Sequence, residues 1–178
     1  MRRLIGILLA AVAMFLWGFV FYGSGLLELH HGVSSESEVL LADTLRKQLP
    51  QSGFYMIPDP RNAPETLGER MKAGPFARIH LHAGGVAFGD PQVMARGFLH
   101  MLFTCVLLSL AMWLVARDSP EYMDRLKIGF VFGLAAAVFA HLGGPIWWHE
   151  TWGQALKLTL YDCVAYTLAA AILAKFSD

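Results

Sequence analysis

The sequence predicts a mainly α fold: a four-helix transmembrane protein with a small α+β extracytoplasmic insertion between helices one and two. Three observations carry this. Of 178 residues, 56% are apolar and only 16% are charged, against about 45–50% and about 25% in soluble domains. Four stretches approach the roughly 20 apolar residues needed to cross a ~30 Å hydrocarbon core. The one long polar stretch, residues 24–96, carries eight acids and seven bases and differs sharply from both flanks. Disorder is excluded by the apolar content, and two cysteines cannot form a disulfide-dense scaffold. Fourteen Lys and Arg balance fourteen Asp and Glu, so no basic excess exists to hold nucleic acid.

The elements follow in order. Span one covers residues 4–22, within a segment 1–23, and contains no charge. Arg2-Arg3 could serve as the basic end of a signal peptide, but 19 apolar residues exceed a signal core of about 7–15. The reading is a retained anchor. The external domain, 24–96, opens with Ser35 and Glu38 spaced as a capping box. Leu41, Leu45 and Leu49 then share one helical face until Pro50 stops the chain. Residues 53–58 read as a short strand ended by Pro58, and residues 59–64 as a turn. Residues 76–81 alternate, with Ala77, Ile79 and Leu81 on one side and Arg78, His80 and His82 on the other. So small a domain buries little core alone, so it is expected to rest on the membrane or on a partner.

Span two covers 97–116, interrupted only by His100, and a cytoplasmic loop fills 117–127. Span three covers 128–148 and contains His141 and the break-prone Gly143-Gly144-Pro145. After an outer loop at 149–152, span four and the C-terminus occupy 153–178, with Lys157 and Asp162 inside. Arg2, Arg3, Arg117, Arg125, Lys127 and Lys175 all fall on one side of this scheme, and the outer loop has no Lys or Arg. By the positive-inside rule both termini are expected in the cytoplasm. Trp17, Trp147, Trp148 and Trp152 read as interfacial anchors.

Phe15-Leu16-Trp17-Gly18, residues 52–58, Ala73-Gly74-Pro75-Phe76 and Pro145-Ile146-Trp147-Trp148 occur in this order. The arrangement resembles a family of small, uncharacterised bacterial inner-membrane proteins with an N-terminal anchor, an external segment and three further spans. The resemblance implies location in the bacterial cytoplasmic membrane and this architecture. It implies no catalytic residue.

The residues able to carry chemistry are few. All seven histidines, His30, His31, His80, His82, His100, His141 and His149, fall outside or in the outer half of a span. His80 and His82 share a strand face and could meet one metal ion, although a site needs three or four converging ligands. His100 and His141 could ligate a haem b between facing helices; hydrogen bonds to backbone or headgroups explain them as simply. A carboxylate such as Asp162 near mid-bilayer costs at least about 2.5–3.5 kcal/mol and calls for a partner. Thr159 and Tyr166 share its helix face. At 1.5 Å per residue, His141 lies at a depth comparable with Asp162, so the two are expected to pair if spans three and four form a hairpin. A helix ending at Gly143 would lift His141 away. Gly129, Gly133 and Ala137 form a small-residue row suited to close helix packing, and Cys105 and Cys163 read as small apolar fillers. Walker, Gly-x-Ser-x-Gly and His-Glu-x-x-His patterns do not occur. The expectation is a non-catalytic accessory, assembly or interaction subunit without a resident cofactor. Its partners would be the lipid bilayer and other membrane proteins or a second copy. The alternatives are a metal- or haem-binding membrane protein using outer-face histidines, and a small oligomeric transporter centred on Asp162.

Overall fold

The computed structural model describes residues 1–24, 31–115 and 121–176. His30, Arg117 and the start of the 117–127 loop lie outside them. The chain is mainly helical, with four helices long and apolar enough to cross a membrane and one two-stranded sheet. It divides into two units, residues 32–88 and the remainder.

In the larger unit, α1 is Arg2–Gly23. Within residues 32–88, α2 is Ser35–Gln48, β1 is Gly53–Ile57, α3 is Leu67–Ala73 and β2 is Ala77–Leu81. The larger unit resumes with α4 (Pro91–Val115), α5 (Tyr122–His141), α6 (Gly143–Trp148) and α7 (Trp152–Lys175). α4 starts six residues before the apolar run that announces it. Pro91 supplies a fixed φ at the first helical position, and the Asp90 carboxylate accepts the Gln92 N–H at 2.8 Å. Polar Gln92 and Arg96 therefore extend the helix beyond its apolar part.

The four long helices form an antiparallel bundle. α1 packs on α4 and α7, and α7 packs on α5, while α4 meets α5 and α7 only slightly. The most deeply buried core residues are small: Ala10, Ala11, Cys105, Ala137, Ala169 and Ala170 have no exposed surface, and Met14, Leu108, Met112 and Leu173 pack beside them. Large apolar side chains such as Leu16, Phe103 and Phe139 face outward. This inverts the pattern of a water-soluble core and suits helices held by close backbone approach. At the bundle end that holds the N-terminus, Arg3 reaches across to α4. Its guanidinium donates to Ser109 Oγ at 3.0 Å and to the Ser109 carbonyl at 2.8 Å, and lies over the Trp113 ring at 5.7 Å. Ser109 is 6% exposed, so Arg3 satisfies a buried hydroxyl as well as a carbonyl already in the helix.

Residues 32–88 are organised differently. None of them is buried. α2 is capped by Ser34, whose hydroxyl oxygen accepts the Ser37 N–H at 3.2 Å. The cap thus sits one residue before the Ser35/Glu38 spacing, because Ser34 is the residue with extended backbone. β1 and β2 pair antiparallel with Phe54 opposite His80. A 3-10 turn at Pro64–Thr66 and α3 fill the connection. Polar bonds hold that connection: Arg61 pairs with Asp59 at 2.7 Å, and the Arg70 guanidinium donates to the carbonyls of Asn62 and Ala63. Beside Arg61, the Asp59 carboxyl is held down at about 2 and the guanidinium is pushed up.

Candidate functional site

The polar centre of the bundle lies where α5 ends. Pro145 has no N–H to donate to the His141 carbonyl four residues back, and its ring crowds that carbonyl. α5 accordingly stops at His141, and after the single residue Leu142 the chain resumes as α6. The interruption does not carry His141 away from α7. Leu142 keeps right-handed helical angles, φ −77° and ψ −12°, so the chain barely changes direction there.

Glycines set the distance between α5 and α7. A Cβ on Gly129 would strike Ala170, and one on Gly133 would lie 2.7 Å from Tyr166 Cγ. The same register places Ala137 opposite Asp162. Side chains tilt toward the N-terminus of their own helix, and these helices run in opposite directions. His141 therefore leans down one turn while Asp162 leans up, and His141 Nε2 stands 2.8 Å from Asp162 Oδ2. Fully buried Ala137 leaves room for the contact.

Their side chains are 23% and 25% exposed, a quarter open rather than sealed in the core. At 2.8 Å the two groups are within hydrogen-bond distance, with the donor and acceptor set by the His141 tautomer. A lone charge at this place is the costly state. Thr159, the same-helix candidate, instead donates its hydroxyl to the Ala155 carbonyl at 2.8 Å. Tyr166 is the residue that seats on Gly133.

No protein-family model, curated protein or solved structure matches the chain.

An aromatic seam lies next to Asp162 along α7. The Trp17 indole N–H donates to the Tyr161 carbonyl at 3.1 Å, and the two rings stack 6.4 Å apart. Phe21 and Tyr22 approach Tyr161 at 4.8 and 5.2 Å. Trp17 thus joins α1 to α7 instead of serving only as a boundary anchor. The rings pack on one another, with Phe21 and Tyr161 both buried.

The other candidates stand apart. His100 is exposed on α4, and its carbonyl accepts the Thr104 hydroxyl at 3.0 Å. Axial haem ligation by His141 through Nε2 would require that atom to leave Asp162. His80 lies against the Phe54 ring at 4.8 Å. β2 ends at Leu81, so His82 has left the strand whose alternation suggested a shared face. Among the described residues no three His, Cys, Asp or Glu side chains gather as a metal site. Cys105 lies 3.4 Å from Met14 Sδ in the core. The Arg3–Ser109–Trp113 cluster escaped sequence reasoning. Its one signal was a lone serine in an apolar run with Trp113 four residues on, the spacing that shares a helix face.

Proposed function

We propose that the protein is a multi-pass protein of the bacterial inner membrane, with both termini cytoplasmic, acting as a non-catalytic interaction subunit. In this reading the helices and strands of residues 32–81 lie outside the membrane and meet a protein partner. The observation that carries it is the absence of any buried residue in 32–88, while Val39, Leu40, Leu41, Phe54 and Ile57 are 42–68% exposed. A folded segment with apolar side chains and no core of its own gains stability by covering them elsewhere. Six basic residues on one side of the spans and none in the outer loop support the orientation, and the family resemblance supports the bacterial setting. Photo-crosslinking residues at Leu41 and Phe54, activated in native membranes, test the reading. A discrete adduct from these sites, missing from lipid-facing Val131, is expected. Correct insertion without a discrete adduct from either site contradicts it.

The His141–Asp162 contact favours a second reading, a small oligomeric carrier that uses this hydrogen-bonded pair. Proton uptake by proteoliposomes along an imposed gradient, lost on Asp162→Asn, would favour it over the first.

A further inference from the structure

The loop at residues 84–89 is the most exposed apolar feature of 32–88 and its border. Val86 is 81% exposed and Phe88 is fully exposed. Gly85 and Gly89 adopt φ of +71° and +72°, angles that favour glycine, so the backbone is shaped to present these side chains. No residue from 83 to 89 is charged. Immediately afterwards Asp90 caps α4.

We propose that this loop is a lipid-binding element, with Val86 and Phe88 inserted into the outer leaflet just before α4 enters the bilayer. The inference rests on the membrane reading given above. Two arguments select lipid as the occupant. The first is reach. From Phe88 to Pro91 the chain spans at most ~10 Å, and from Pro91 to Gly97, where the apolar run begins, α4 rises about 9 Å. Phe88 is therefore tethered within about 20 Å of the hydrocarbon edge, which itself lies beneath a headgroup layer roughly 5–7 Å thick. The second is size. A stable protein interface covers about 800 Å² on each partner, whereas one aromatic side chain buries about 150–250 Å². One Phe and one Val fall well short of a protein interface but suffice for shallow insertion among acyl chains. Along the chain, exposed Val93 and Met94 continue the apolar series from the loop into lipid-facing Leu99 and Phe103.

A polarity-sensitive fluorophore placed at single cysteines tests this. Phe88→Cys, Phe139→Cys and Ser37→Cys are made with Cys105→Ala and Cys163→Ala, and reconstituted into phosphatidylcholine–phosphatidylglycerol vesicles containing doxyl-labelled lipid. Phe139 is the lipid-facing standard and Ser37 the aqueous one. The proposal expects blue-shifted emission at 88, with quenching close to that at 139 and several-fold above that at 37. Quenching at 139 with position 88 behaving like 37 overturns the loop proposal alone. No quenching at 139 overturns the membrane reading and the loop proposal with it. Because Cys105→Ala alters a buried site, the unmodified protein is also irradiated in vesicles carrying an acyl-chain diazirine. Lipid adducts on the peptide containing Phe88 support the proposal, and adducts confined to the four long helices overturn it.

Discussion

The bundle and residues 32–88 solve the same problem in opposite ways. In the bundle the most deeply buried positions are alanine and cysteine, glycines set the α5–α7 approach, and many large apolar side chains face outward. In 32–88 there is no interior, and the backbone is held by hydrogen bonds among Asp59, Arg61, Asn62 and Arg70. In the membrane reading proposed above, the difference reflects the surrounding medium. Where the medium is apolar, exposing Phe139 costs nothing, and helices associate by backbone approach and by a few strong polar contacts. Where the medium is water, a short segment without a core depends on local polar bonds worth about 1 kcal/mol each. Damage should therefore propagate in the bundle and remain local outside it.

The largest expected effect is on the α5–α7 seam. Gly133→Leu places a side chain where Tyr166 already stands, and overpacking typically costs about 1–3 kcal/mol. Ala136→Leu, three residues away on the exposed side of α5, should stay within about 0.5 kcal/mol of the parent. Thermal melts in detergent compare them, and equal losses would mean that this seam does not hold the bundle.

Next in size is the coupling between His141 and Asp162. His141→Gln and Asp162→Asn, singly and together, should show an interaction energy of about 0.5–3 kcal/mol in a double-mutant cycle. Simple additivity would separate the two residues energetically despite their 2.8 Å contact.

These two regions also differ in how far the sequence discloses them. Apolar runs reveal the four long helices because crossing a bilayer demands length and composition, both countable. Alternation around Ile79 reveals β2, and helix rise alone places His141 and Asp162 at comparable heights. What escapes depends on single contacts. α3 has only seven residues, too few for a periodicity to register. The first turns of α4 are polar, so only the Asp90-Pro91 pair marks its start. Arg3 reads as an interfacial charge until α4 brings Ser109 to it, and Trp17 reads as an anchor until α7 offers the Tyr161 carbonyl.

Outside the bundle smaller effects are expected. Arg70→Ala removes the donor to the Asn62 and Ala63 carbonyls and should loosen that turn by about 1 kcal/mol. Amide exchange at Asn62 and Thr66 should quicken several-fold while the bundle melt is unchanged; a lowered bundle melt would break the comparison. Smallest is the acid response of Asp59. Its carboxyl sits at about 2 in the folded chain against an ordinary 3.8, so the Arg61 contact is complete above the ordinary value. It is lost as pH falls toward 2. NMR signals of the Arg61 side chain should titrate over that window, and Asp59→Asn should abolish the response.

The proposed topology is decided by which residues see water and from which side of a membrane. Single cysteines at Ser37 and Glu121, with Cys105→Ala and Cys163→Ala, are exposed in intact cells to a membrane-impermeant maleimide, and again after permeabilisation. Ser37→Cys is expected to label in both conditions and Glu121→Cys only after permeabilisation. Labelling of Glu121→Cys in intact cells, or protection of Ser37→Cys there, would contradict the topology.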